Sequence, residues 1–98
     1  MRLVFFSLAA SADLREIHDY IFADHASAAD RLLEEIQESC ESLGRHQRLG
    51  VARDDIVPGI RLIVVRQTYV VFYRVRDDEG EVVRVVHGRR DFSKLFEL

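Results

Sequence analysis

The spacing of apolar residues changes once along the chain and divides it in two. Near the start, Leu3-Val4-Phe5-Phe6 is a continuous β-favouring run and predicts a first strand over residues 2–6. Beyond it, Leu14, Ile17 and Ile21 recur at three- and four-residue spacing while Asp13, Arg15, Glu16 and Asp19 stay polar, the pattern of an amphipathic helix. Ser7 or Ser11 can cap that helix, because a short hydroxyl accepts an orphan backbone N–H of the first turn. Asp24-His25-Ala26-Ser27 interrupts the period. Ser27-Ala28-Ala29-Asp30 then has the form of a capping box. Ala29, Leu32, Leu33, Ile36, Cys40 and Leu43 follow as one narrow apolar stripe, with Gly44 placed as its C′ residue. The two stripes predict an antiparallel helical hairpin.

The second half alternates instead. Residues 45–59 show no clear period and form a long polar connection, of the kind that carries function when ordered. Pro58-Gly59 signals a turn. Residues 60–65, 69–75 and 82–87 are dense in Val, Ile, Phe and Tyr and predict three strands, joined by a short connection at 66–68 and a longer acidic one at 76–81. The tail, 91–98, fits either a short amphipathic helix or extended chain. The order is β-α-α-β-β-β, with helices grouped ahead of a meander. It predicts an α+β fold in which a helical hairpin packs on a twisted antiparallel sheet. The expected core is Leu14, Ile17, Ile21, Leu32, Leu33, Ile36, Cys40 and Leu43 on the helices. Val71 and Tyr73, with Val83 and Val85, are expected to meet them from the strands, since same-parity residues share a face.

Length and composition narrow the chemistry. Ninety-eight residues, 48% hydrophobic and 32% charged, describe one folded domain over 1–98. The only cysteine, Cys40, falls inside the helical stripe and reads as a small buried hydrophobe rather than a nucleophile. His-x₃-His and Cys-x₂-Cys spacings are absent, so no metal is expected. No phosphate-binding glycine loop or nucleophile elbow occurs, so no cofactor is expected. No apolar run approaches the roughly 18 residues of a membrane span. Residues 1–10 superficially look like a signal peptide, but the apolar run is short and residues 11–16 continue it as an amphipathic helix. A cytoplasmic protein is the expectation.

Charge is unevenly placed. Residues 1–44 carry nine Asp/Glu against three Arg, whereas residues 45–98 carry eleven Arg/Lys against eight Asp/Glu. Thirteen of the fourteen basic residues are Arg, which pairs bidentately with carboxylates and phosphates. Arg61, Arg66, Arg74, Arg76 and Arg84 fall on or beside strands, and His87-Gly88-Arg89-Arg90-Asp91 follows the last one. These residues could form one basic face that binds phosphates or an acidic protein segment. They could equally pair with acids at the edge of the domain.

Several segments together resemble one family. Ala12-Asp13-Leu14-Arg15-Glu16-Ile17-His18-Asp19-Tyr20-Ile21 is similar to the start of toxins in the RelE/ParE superfamily of bacterial toxin–antitoxin systems. Leu49-Gly50, Val57-Pro58-Gly59-Ile60-Arg61, Val71-Phe72-Tyr73-Arg74-Val75 and Val83-Arg84-Val85-Val86-His87-Gly88-Arg89-Arg90-Asp91 follow in the same order. The closing His-Gly-Arg-Arg-Asp resembles the ParE branch more than the RelE branch. The resemblance implies the β-α-α-β-β-β fold and the toxin of a type II system, in a hetero-oligomer with a ParD-like antitoxin. It implies DNA gyrase as target, hence a protein inhibitor rather than an enzyme, with no stable nucleic-acid binding on its own. The alternative it implies is a ribosome-dependent mRNA endonuclease, in which His87 would serve as acid or base and Arg61 would steady phosphate. A strongly basic surface suits an rRNA-lined site, and this chain is net acidic at −3. The expected target-binding patch is Arg61, His87, Arg89, Arg90 and Phe92.

Overall fold

A computed structural model describes residues 3–46 and 48–96. Arg2, at the head of the expected first strand, and Leu98, at the end of the tail, lie outside the described residues. The chain runs β1 (Leu3–Phe6), α1 (Leu8–Phe22), α2 (Ala26–Leu43), β2 (Val51–Ala52), β3 (Arg61–Val65), β4 (Tyr69–Arg76) and β5 (Glu79–His87), and closes on a 3₁₀ turn, Phe92–Lys94. The sheet order is β1-β5-β4-β3-β2. The α+β class and the helical hairpin on a sheet are as the sequence predicts. Two features add to that outline: the two-residue strand β2 at one edge, and the parallel pairing of β1 with β5 in an otherwise antiparallel sheet.

Ser7 joins β1 to α1. Its Oγ accepts the Ala10 N–H at 3.0 Å as the helix cap and donates to the Val83 carbonyl at 2.8 Å. Its own N–H donates to the Val82 carbonyl at 2.9 Å. One short polar residue therefore ends the parallel pairing and starts the helix. The second helix begins two residues earlier than its capping-box pattern suggests. His25, not Ser27, is its cap, with Nδ1 accepting the Ala28 N–H at 3.4 Å. The His25 carbonyl accepts the Ala29 N–H, so the helical ladder is already running where Ser27 sits. Gly44 ends α2 in right-handed geometry, φ −65°, rather than as a left-handed C′ residue. The Ser42 carbonyl is satisfied there by the N–H groups of Arg45 and His46, so no left-handed residue is required.

Both sheet faces are covered. On one, Ala10, Leu14, Leu32, Ile36 and Cys40 of the helices meet Val65, Val71, Val82 and Val85, with Ile17, Ile21 and Leu33 partly buried around them. On the other, Ile60, Val70, Phe72 and Val86 lie beneath Ile56, Val57, Phe92, Leu95 and Phe96. β4 is thus buried on both faces, and Val70, Val71, Phe72 and Tyr73 form a continuous apolar run.

Parity fails at one place. Phe72 pairs with Arg84 but Tyr73 pairs with Val82, so Val83 is an extra residue in β5. Val82, not Val83, consequently faces the helices, and Val83 packs on the opposite face. The same irregularity brings Arg84 to Asp13 of α1, at 2.7 and 2.9 Å, where the carboxylate also accepts the Val85 N–H at 2.9 Å. Asp13 is only 8% exposed. A buried carboxylate with a bidentate arginine and a backbone donor is fully committed to holding α1 on β5.

Candidate functional site

The end of the sheet that carries His87 lies beside the C-terminal half of α1. Tyr69 opens β4 and His87 closes β5, and the two are direct cross-strand partners. Their rings meet edge to face at 5.9 Å. With Ile17, Ile21, Tyr20 and Glu16 from α1, and with Arg90, they line a groove of about 280 Å³. Its floor is apolar, formed by the isoleucines and Val85. Its rim is polar, and Tyr20 is 81% exposed there.

The turn after β5 is fixed by backbone bonds. Gly88 N–H donates to the Thr68 carbonyl at 2.7 Å, and Arg90 N–H to the His87 carbonyl at 3.0 Å. Arg89 N–H donates to His87 Nδ1 at 3.1 Å. The guanidinium-bearing side chains of Arg89 and Arg90 lie exposed at this corner.

The five residues of the expected patch do not converge. His87, Arg89 and Arg90 share the corner. Phe92 is half-buried on the opposite sheet face, edge to face with Phe72 at 5.0 Å. Arg61 pairs with Tyr73, four residues of β4 away from the Tyr69–His87 pair. That is about 13 Å along the strands and two strand spacings, about 10 Å, across them. Its guanidinium donates twice to the Gly50 carbonyl, at 3.2 and 3.0 Å.

Nor do the strand arginines make one basic face. Arg66 pairs with Glu35, Arg74 lies 3.6 Å from its cross-strand partner Glu81, and Arg84 is held by Asp13. Pairing with acids explains them. Cys40 is buried as expected, and burial pushes its thiol up to about 12, which makes it a poor nucleophile. Among the described residues no cluster of His, Cys, Asp and Glu could hold a metal ion, and no helix is long and apolar enough to cross a membrane.

Sequence reasoning missed Tyr69, Tyr20 and Glu16. Counting strictly outward from the β4–β5 turn sets Tyr69 opposite Val86, and only the extra residue at Val83 moves its partner to His87, so the sequence does not announce the pair. Glu16 and Tyr20 lie one helical turn apart, but nothing in the spacing says which strand end they overlook.

The helical hairpin on this mixed sheet defines a class. At a TM-score of 0.76 the fold matches a protein of the chromosomal ParDE toxin–antitoxin system of P. aeruginosa, 24% identical, covering 89% of this chain and 96% of that one. It matches a chain of the Mycobacterium tuberculosis RelBE2 toxin–antitoxin complex at 0.64, also 24% identical, covering 91% and 93%. Residues 4–92 fit the family model of the ParE toxin of the type II toxin–antitoxin system parDE. Toxin ParE1 of Mycobacterium tuberculosis is 34% identical over 90 residues, covering 90% of this chain and 91% of that protein. The chain belongs to the ParE toxin family of type II toxin–antitoxin systems.

Proposed function

We propose that this ParE-family toxin inhibits DNA gyrase by docking to it, without catalysing a reaction, and that a ParD-like antitoxin neutralises it. The observation that carries the reading is the separation of Arg61 from His87. A nuclease must bring its acid–base group and its phosphate-stabilising cation to one phosphodiester. Here Arg61 is spent on the Gly50 carbonyl at the far end of the ladder. The working surface in this reading is the corner of His87, Arg89 and Arg90, continued into the groove by Tyr69 and Tyr20. Aromatic and arginine side chains around an apolar floor are the composition of a protein-docking hot spot.

The antitoxin is proposed to cover part of the sheet and the helical hairpin. Exposed apolar residues at both sheet edges support this: Leu3, Phe5 and Leu8 beside β1, and Leu49, Val51 and Val64 beside β2 and β3. Exposed arginines are suited to meet antitoxin carboxylates. The groove also motivates the second reading. His87, Arg90, Tyr69, Tyr20 and Glu16 converge there, and such groups could serve a ribonuclease without Arg61.

Two assays with the purified toxin separate the readings. Inhibition of gyrase supercoiling, relieved by the antitoxin, with intact mRNA on translating ribosomes is the expected result. Clean mRNA cleavage with untouched gyrase, abolished by His87→Ala, would transfer the protein to the nuclease branch.

A further inference from the structure

We infer that His87 works as a fixed hydrogen-bond donor: a neutral imidazole, protonated at Nε2, presented to an oxygen acceptor of the protein target. This rests on the reading of the His87 corner as the working surface and specifies what that corner recognises. The warrant is the backbone bond at Nδ1. Arg89 N–H can only donate, so the Nδ1 that receives it at 3.1 Å must offer a lone pair. A neutral imidazole with an unprotonated Nδ1 carries its proton on Nε2. Protonating Nδ1 would set two donors against each other and break the bond that shapes the turn.

The surroundings of the ring agree with this orientation. Tyr69 meets it edge to face, and the Gly88 and Arg90 backbone bonds fix the chain on either side. The ionisable neighbours lining the groove are Glu16, Tyr20, Tyr69 and Arg90, with Asp13 committed to Arg84. A general base must present a bare nitrogen to the proton it removes. His87 presents N–H instead, and beside it stand the exposed guanidiniums of Arg89 and Arg90. The corner is donor-rich, so its complement is a carbonyl or carboxylate oxygen on the partner.

The tautomer is read on the isolated full-length toxin by long-range ¹H–¹⁵N correlation of the histidine side chains at pH 7.5, with His87→Gln assigning the signal. The expected spectrum shows a protonated Nε2 and an unprotonated Nδ1. A protonated Nδ1, alone or in an imidazolium, overturns the inference whichever target the toxin has. Growth arrest after induction without antitoxin gives the second readout. Gln places an amide N–H near the reach of Nε2, so His87→Gln should stay within about threefold of the parent while His87→Ala falls by about tenfold or more. His87→Gln as weak as His87→Ala, at unchanged melting temperature, overturns the donor role, as does His87→Ala at parental potency. If His87→Gln fails to fold, the parent spectrum, assigned with His87→Asn, decides. A correct tautomer combined with ribosome-dependent cleavage would leave the donor role standing and refute the gyrase reading.

Discussion

Gly50 donates its N–H to Tyr73 Oη at 2.8 Å, and its carbonyl accepts both donors of Arg61. A Cβ at this position would lie 2.5 Å from the Leu62 carbonyl oxygen and 2.7 Å from the Tyr73 ring and hydroxyl. Backbone cannot retreat as a side-chain tip can. Gly50→Ala should therefore cost roughly 1–3 kcal/mol through overpacking, and more if the Tyr73 bond is lost. For a chain of this length each kcal/mol lowers Tm by about 4–8 °C, so thermal unfolding by circular dichroism checks it. An unchanged Tm would mean that the loop relaxes freely. His18 gives a pH-dependent counterpart. Its Nε2 lies 2.9 Å from Asp30 of α2 and its Nδ1 3.4 Å from Asp19. The Asp30 carboxylate, and then Asp19, hold the imidazolium above the ordinary histidine range. A raised folded-state value means that the stabilisation is fully present below about pH 6.5 and is lost as pH rises through the raised value. Acidifying from pH 8 to 6 should raise the Tm of the parent relative to His18→Gln, and the two should converge at high pH. The gain will be small, because solvent screens this pair. A constant difference across that range would sink the assignment.

At the level of elements, what the sequence carries is periodicity, and what it withholds is registry. The helical stripes led directly to Leu32, Ile36, Cys40 and Leu43, all buried. The strands are legible for the same reason: a β4 covered on both faces must be apolar at every central position. The acidic connection at 76–81 was harder. It is a tight turn, with Asp77 at φ 51°, and both strands run into it through the pairs Arg76–Glu79 and Arg74–Glu81. Polar residues at a solvent-exposed sheet end do not look like strand, although the ladder continues through them. The hairpin after β3 hides in another way. Arg66 and Gln67 both adopt left-handed φ, 54° and 56°, in the three-residue connection between Val65 and Tyr69, a conformation that usually selects Asn or Gly. Arg66 instead uses that corner to reach Glu35 on α2. The extra residue at Val83 is the clearest case of withheld registry. Strict alternation puts Val83 toward the helices, and nothing local announces the break. What accompanies it is long-range: Asp13, on another element, takes Arg84 and the Val85 N–H together. The candidate site follows the same rule. His87, Arg89 and Arg90 are contiguous and were legible, whereas Arg61 was grouped with them because only registry reveals that it opens β3 at the other end.

Across the whole molecule, the sheet is a partition between two cores of unequal security. The helical core is held by two long amphipathic helices. The second rests on a loop and a tail, with Phe72 edge to face against Phe92 at 5.0 Å and Phe96 at 5.3 Å. The corner that carries His87, Arg89 and Arg90 lies between β5 and that tail, so the anchoring of Phe92 sets where the corner sits. Anchor and working surface can be separated by substitution. Phe92→Ala with Phe96→Ala strips the cover from Ile60, Val70, Phe72 and Val86. Both rings share Phe72, so their losses will not simply add. A combined cost of roughly 3–5 kcal/mol is expected, from a total stability of only about 5–15. That corresponds to a fall in Tm of more than about 12 °C, with toxicity lost alongside the fold. Arg89→Ala with Arg90→Ala should behave oppositely. Both side chains are exposed, and removing them takes no apolar contact from either core. Tm and antitoxin affinity should stay near parental values while growth arrest is lost. Thermal melts, antitoxin titration and growth curves on the two double variants give the comparison. If the arginine variant melts as early as the phenylalanine variant, the arginines are structural anchors and the toxic surface lies elsewhere on the molecule.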